Sequence, residues 1–177
     1  MIIRPAIATA WALVLLLGAP IPWSVSSAVT AAEDICEANR KPANLNFALK
    51  DINNEDVRLA DYTGKVIAIN FWATWCAPCR FEIPALVDLQ AKYKARGFQV
   101  IGISVEDTLD LLGPYVARFG MNYPVLQGLH REDVKNALGP IYVIPETVII
   151  SRDGNVCKKH RGVVAKDVFE REIESLL

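Results

Sequence analysis

An excess of charge of either sign is what this chain lacks most plainly: 19 Lys and Arg stand against 20 Asp and Glu in 177 residues. So even a balance gives no polycationic surface for a phosphate backbone, and no nucleic-acid partner is expected. Histidine is scarce, with His130 and His160 alone, and there are four cysteines, of which only Cys76 and Cys79 lie close together. A structural zinc site needs four ligands, usually two close pairs, so no metal is expected. Internal repeats and low-complexity tracts are absent as well. What remains is one domain's worth of chain plus a leader, with 52% apolar residues to build its core.

Charge is also missing between Arg4 and Glu33, where "AIATAWALVLLLGAPIPW" is nearly all apolar and small residues follow in "SSAVTAAED". Residues 1–32 are therefore expected to be a signal peptide, with Ala31 or Ala32 the last residue removed, or else an uncleaved N-terminal signal anchor. Pro20 and Pro22 shorten the apolar run below the ~20 residues of a bilayer span, which favours cleavage. Either way the folded part is exported, soluble in the periplasm or tethered to the inner membrane. Disulfides persist in that compartment.

Residues 33–43 read as an irregular lead-in and 44–177 as the domain. "NLNFALKD" and "EDVRLADY" alternate apolar and polar positions around a turn, as two short strands do. "GKVIAINFWA" and "FQVIGISVE" are continuous apolar runs, the pattern of strands buried on both faces. Between them a helical pattern runs from the cysteine pair to Arg96, stopped by Gly97 and kinked by Pro84. A helix over 108–119 should be interrupted at Gly113-Pro114, and a short one should cover about 131–138. "YVIPETVIIS" and "VCKKHRG" flank the turn signal Asp153-Gly154 and predict a hairpin. An amphipathic helix from Lys166 closes the chain. The order implies an α/β fold, a central mixed β-sheet with helices on both faces.

The chemistry centres on "FWATWCAPCR". A thiol reacts as thiolate, and a helix N-terminus stabilises a thiolate through free backbone N–H groups and the dipole. Pro78 suits a first helical turn. Cys76 is thus expected as the exposed nucleophile at the helix start, with Cys79 shielded one turn in to resolve a mixed disulfide. A loop this small gains little from a structural disulfide. Cys-x-x-Cys between a buried strand and a helix points to redox exchange, with the disulfide Cys76–Cys79 as the redox centre and no other cofactor. A disulfide-forming oxidant and a copper-delivery module, the latter using His160, are the alternatives. A peroxidase has no support in the cysteine pattern. Trp75 is expected as an exposed apolar contact for partners, with Phe71 and Trp72 in the core.

"NFWATWCAPCRFEIPAL", with "LADYTGKVIAI" before it and "IPETVIISRDGN" after it, resembles the TlpA/ResA-like branch of the thioredoxin superfamily. The resemblance spans Asn44 to Leu177. It implies a thioredoxin-like three-layer fold and an exported thiol-disulfide oxidoreductase that reduces protein disulfides. The implied partners are apocytochrome c or the assembly proteins of the oxidase copper centre, with a membrane-borne thiol as electron donor. It also implies a cis bond at Ile144-Pro145, where backbone groups would dock a substrate peptide, and a docking role for Glu146. Glu82, three residues after Cys79, matches an acidic residue that would move protons. Asn70 stands where thioredoxins proper carry a buried aspartate, so any relay must run through Glu82 or water. A structural disulfide between Cys36 and Cys157 is implied on the same ground.

Overall fold

The computed structural model describes Ile35, Cys36 and residues 41–177; the leader and most of the lead-in lie outside the described residues. Among the described residues no helix is long and apolar enough to cross a membrane. A small antiparallel hairpin comes first, β1 (Ala48–Lys50) with β2 (Asp56–Arg58). The "LADY" stretch after it is a 3₁₀ turn and does not extend the strand. The main sheet then takes β3 (Val66–Trp72), β4 (Phe98–Ser104), β5 (Val125–Gln127), β6 (Glu146–Ile150) and β7 (Val156–Arg161), in the order β5-β4-β3-β6-β7.

The two apolar runs occupy the interior of this sheet. Every residue of β3 and β4 is buried, as strands covered on both faces require. They pair in parallel, while β3 and β6 pair antiparallel, so the sheet is mixed. Four helices flank it: α1 (Ala77–Tyr93), α2 (Leu109–Phe119), α3 (Glu132–Ala137) and α4 (Lys166–Leu176). α1 and α4 meet at the Tyr93 hydroxyl, whose single O–H lies within hydrogen-bond distance of Glu170 and Glu174, at 2.9 and 2.6 Å. α2 sends Tyr115 onto Trp72 of β3, with ring centroids 5.0 Å apart.

Three expectations need correction. α2 is unbroken through Gly113 and Pro114. Pro114 is the sixth residue of the eleven, and the carbonyl deprived of its N–H belongs to Asp110, an exposed residue that water can serve. β5 was not foreseen; at three residues it is too short for alternation to show. α1 ends at Tyr93 and a 3₁₀ turn, Lys94–Arg96, leads to Gly97, whose φ of 90° stops it. The helix passes through Pro84 without ending.

Register decides where the site lies. Trp72 pairs with Ser104, and Phe71 with Glu146. The turn leaving β3, the turn leaving β4 and the bend entering β6 therefore meet at one end of the sheet. Cys76, Asp107 and Pro145 stand on those three segments.

Candidate active site

β3 ends at Trp72, and Ala73, Thr74 and Trp75 turn the chain into α1. Cys76 is the N-cap of that helix, extended at φ −73° and ψ 102°, and its Sγ accepts the Cys79 backbone N–H at 3.2 Å. Pro78 sits in the first turn, where its missing N–H leaves nothing unpaired. Cys76 and Cys79 are joined, with Cα atoms 5.4 Å apart. A sulfur that receives an N–H at a helix start is held where negative charge is best tolerated.

Cys76 is not the exposed residue expected: only 2% of its surface is open. With the disulfide closed, its sulfur is bonded to Cys79, and Cys76 is one of the residues lining a groove of about 460 Å³. Trp75, Pro78, Ile141, Tyr142 and Ile144 wall the groove, with Glu106 and Lys135 as its charged members. Trp75 and Tyr142 are 62% and 80% exposed, a broad apolar rim around a recessed sulfur. Cys79 does not reach the groove. Ile144-Pro145 is cis, and the Pro145 carbonyl accepts the Gly162 N–H at 2.8 Å.

Glu82, three residues on from Cys79 in α1, is wholly buried. The Asn70 amide donates to Oε2 at 2.8 Å and the Thr147 hydroxyl at 3.2 Å, while the Val164 backbone N–H donates to Oε1 at 3.1 Å. Burial pushes the Glu82 carboxyl up to about 7, against the pull of those three hydrogen bonds. It is poised to hold or release a proton near neutrality. Asn70 donates to Thr147 Oγ1 as well, at 2.9 Å, so it orients the carboxylate from the position where a second acid would stand. Tyr123 is buried nearby, its phenol pushed up by burial and then by the charge of Glu82.

The sequence and the fold are similar to those of proteins of known chemistry. The AhpC/TSA family model matches residues 41–159. The thiol-disulfide oxidoreductase ResA of Geobacillus kaustophilus is 34% identical over 134 residues, 74% of each chain. The ResA of Bacillus subtilis is 29% identical over 158 residues, 89% of this chain and 86% of its own. Among solved structures, a thiol:disulfide interchange protein of the thioredoxin family from Chlorobium tepidum superposes with a TM-score of 0.71. It is 32% identical, covering 80% of this chain and 99% of that one.

The chain belongs to the AhpC/TSA family. Within that family it is a thiol-disulfide oxidoreductase with a thioredoxin-like fold.

One other residue of this AhpC/TSA domain falls differently from its expected place. Glu146 does not line the groove: it is fully buried, 3.0 Å from Lys159 and 3.5 Å from Arg161. Those contacts are ionic and not aligned hydrogen bonds. A buried carboxylate with no direct reach to solvent cannot itself touch a partner, so the expected docking contact is corrected: Glu146 is enclosed between Lys159 and Arg161. Cys36 and Cys157 are joined by a disulfide across 121 residues, and neither lines the groove. His160 binds Glu172 at 2.7 Å and meets the Phe169 ring edge-on, a packing arrangement. Among the described residues no cluster of His, Cys, Asp and Glu is built to hold a metal.

Sequence reasoning missed Thr147, Val164 and Asp107. Each touches the site from 33 or more residues away, the separations being 65, 82 and 33. No local motif marks them.

Proposed function

We propose that this oxidoreductase works as an exported reductant of protein disulfides, serving cytochrome c maturation or assembly of the oxidase copper centre. The observation that carries the reading is Cys76 at the helix N-cap, lining an apolar-rimmed groove, with a buried proton-holding carboxyl, Glu82, on the same helix. The Cys76 thiolate attacks one sulfur of a partner disulfide, forming a mixed disulfide and expelling the other partner sulfur as thiolate. Cys79 then attacks the Cys76 sulfur, releasing the second partner sulfur and closing Cys76–Cys79. Two electrons pass to the partner. Glu82 takes the Cys79 proton as that thiol becomes the attacker. A membrane-borne thiol donor returns the pair to the dithiol form.

Export is supported by the leader's apolar run, uncharged after Arg4, and by the Cys36–Cys157 bridge, which an oxidising compartment preserves. The reductive direction and the cytochrome partners are supported by the TlpA/ResA-like resemblance. The test is a reduction potential together with a trapping variant. The potential should lie nearer that of thioredoxin, about −270 mV, than that of DsbA, about −120 mV. Cys79→Ala in the cell should accumulate mixed disulfides on Cys76 with c-type apocytochromes or copper-centre assembly proteins. A potential at the oxidising end, or trapping of unrelated exported proteins only, would replace this reading with disulfide formation.

A further inference from the structure

The turn that delivers Cys76 is held from outside by two adjacent acidic residues on the loop after β4. Asp107 is 2% exposed. Its Oδ2 accepts the Thr74 backbone N–H at 2.8 Å and the Ser104 hydroxyl at 2.5 Å, and its Oδ1 accepts the Thr74 hydroxyl at 2.5 Å. Glu106, next to it, accepts the Trp75 indole N–H at 3.1 Å. Thr74 and Trp75 are the last residues before Cys76, so each is anchored by one member of the acidic pair.

The loop carrying these acids is itself pinned. Val105 N–H donates to the Trp72 carbonyl at 2.9 Å, and the Gln127 amide donates to the Asp107 carbonyl at 3.2 Å. Gly128 N–H donates to the Ser104 carbonyl at 2.7 Å. A Cβ at Gly128 would stand 2.6 Å from the Ile103 side chain and 2.9 Å from that carbonyl, so the approach admits glycine only. Three strands, β3, β4 and β5, thereby lock one turn.

Burying a carboxylate beside no cation is costly unless donors replace its water. Asp107 has three donors and, among the described residues, no ion pair. Only a carboxylate accepts from three donors through two oxygens of one short side chain. This arrangement fixes one particular peptide.

We propose that Asp107 is a positioning residue for the exchange reaction: through Thr74 it sets the Cys76 sulfur on the Cys79 N–H, and Glu106 sets the Trp75 wall of the groove. The inference rests on Cys76 as the attacking thiol. A sulfur displaced from its N–H donor loses the stabilisation of its thiolate, and a small misplacement of a reacting atom lowers a rate steeply.

The test uses the full-length reduced protein, the thiolate absorbance of Cys76 against pH, and its exchange rate with oxidised glutathione. Thr74→Val removes the hydroxyl while leaving the Asp107 charge in place. It should raise the Cys76 thiol pKa by on the order of one unit and slow exchange on the order of tenfold at neutral pH. Thr74→Ser restores the hydroxyl and should behave as the native protein. Asp107→Asn turns an amide N–H onto donors and should exceed Thr74→Val; if it fails to fold, the threonine pair decides alone. Native thiol pKa and rate in Thr74→Val, or equal loss in the Val and Ser variants, would overturn the proposal. Exchange that persists in Cys76→Ser would overturn the reading of the nucleophile, and this inference with it.

Discussion

Glu82 shows how one side chain joins stability to chemistry. Its carboxyl sits well above the ordinary 4.5, at about 7, chiefly because burial penalises the charge. The folded protein therefore binds a proton more tightly than the unfolded chain does. Stability is fully present below pH 4.5 and is lost as pH rises through 7. The size is about 3 kcal/mol, the separation of the two values converted at 1.36 kcal/mol per unit. Glu82→Gln keeps the shape and removes the titration. Urea unfolding of the oxidised protein from pH 4 to 8 should show the native protein losing that amount relative to the variant. Parallel stability curves would mean the carboxylate is fully compensated by Asn70, Thr147 and Val164. The same substitution should flatten the pH profile of exchange between pH 6 and 8, where Glu82 changes charge.

At the scale of elements, what was legible in the sequence follows from where the information lies. β3, β4, the β6–β7 hairpin and the Cys-x-x-Cys helix start each carry a local signal, an apolar run, a turn pair or a proline in the first turn. The partners of Glu82 and the acidic clamp on Thr74 have none, because they arise from register between strands distant in sequence. Cys76 was placed correctly on its helix and wrongly in its exposure, since a closed disulfide and the Trp75–Ile144 walls are tertiary facts. Gly102 illustrates the same limit. It reads as a weak point in an apolar strand, yet it makes room for two aromatic rings. A Cβ there would lie 3.0 Å from Trp72 Nε1 and 3.2 Å from Tyr123 Cε2. Both rings are buried, so neither yields freely. Gly102→Ala should cost about 1–3 kcal/mol, the range of an overpacked core. Equilibrium urea denaturation measures it, and a neutral or stabilising alanine would show that the Trp72–Tyr115 layer can shift.

At the scale of the whole molecule, the lead-in is stitched to the far hairpin. Lys41 accepts the Val156 N–H at 2.9 Å, Ala43 donates to Gly154 at 2.8 Å, and Cys36 is bonded to Cys157. The bridge closes a span of 121 residues. In the chain-entropy account a loop of that length stabilises by about 4–5 kcal/mol, acting mainly on the unfolded chain. Its cysteines are buried, and neither lines the groove at Cys76. Stability and exchange should therefore separate. Replacing both Cys36 and Cys157 with Ser should lower unfolding free energy toward that figure while leaving the glutathione exchange rate within about two-fold, as distant independent sites do. Titration of the native protein with a dithiol should open Cys76–Cys79 first, because Cys76 lines a groove and Cys36 and Cys157 do not, and Cys36–Cys157 only at a stronger reducing poise. Mass mapping of alkylated cysteines reads the order directly. If the two pairs open together, or if the double Ser variant exchanges as slowly as a Cys76 variant, the bridge belongs to the redox cycle and is no longer a staple outside it.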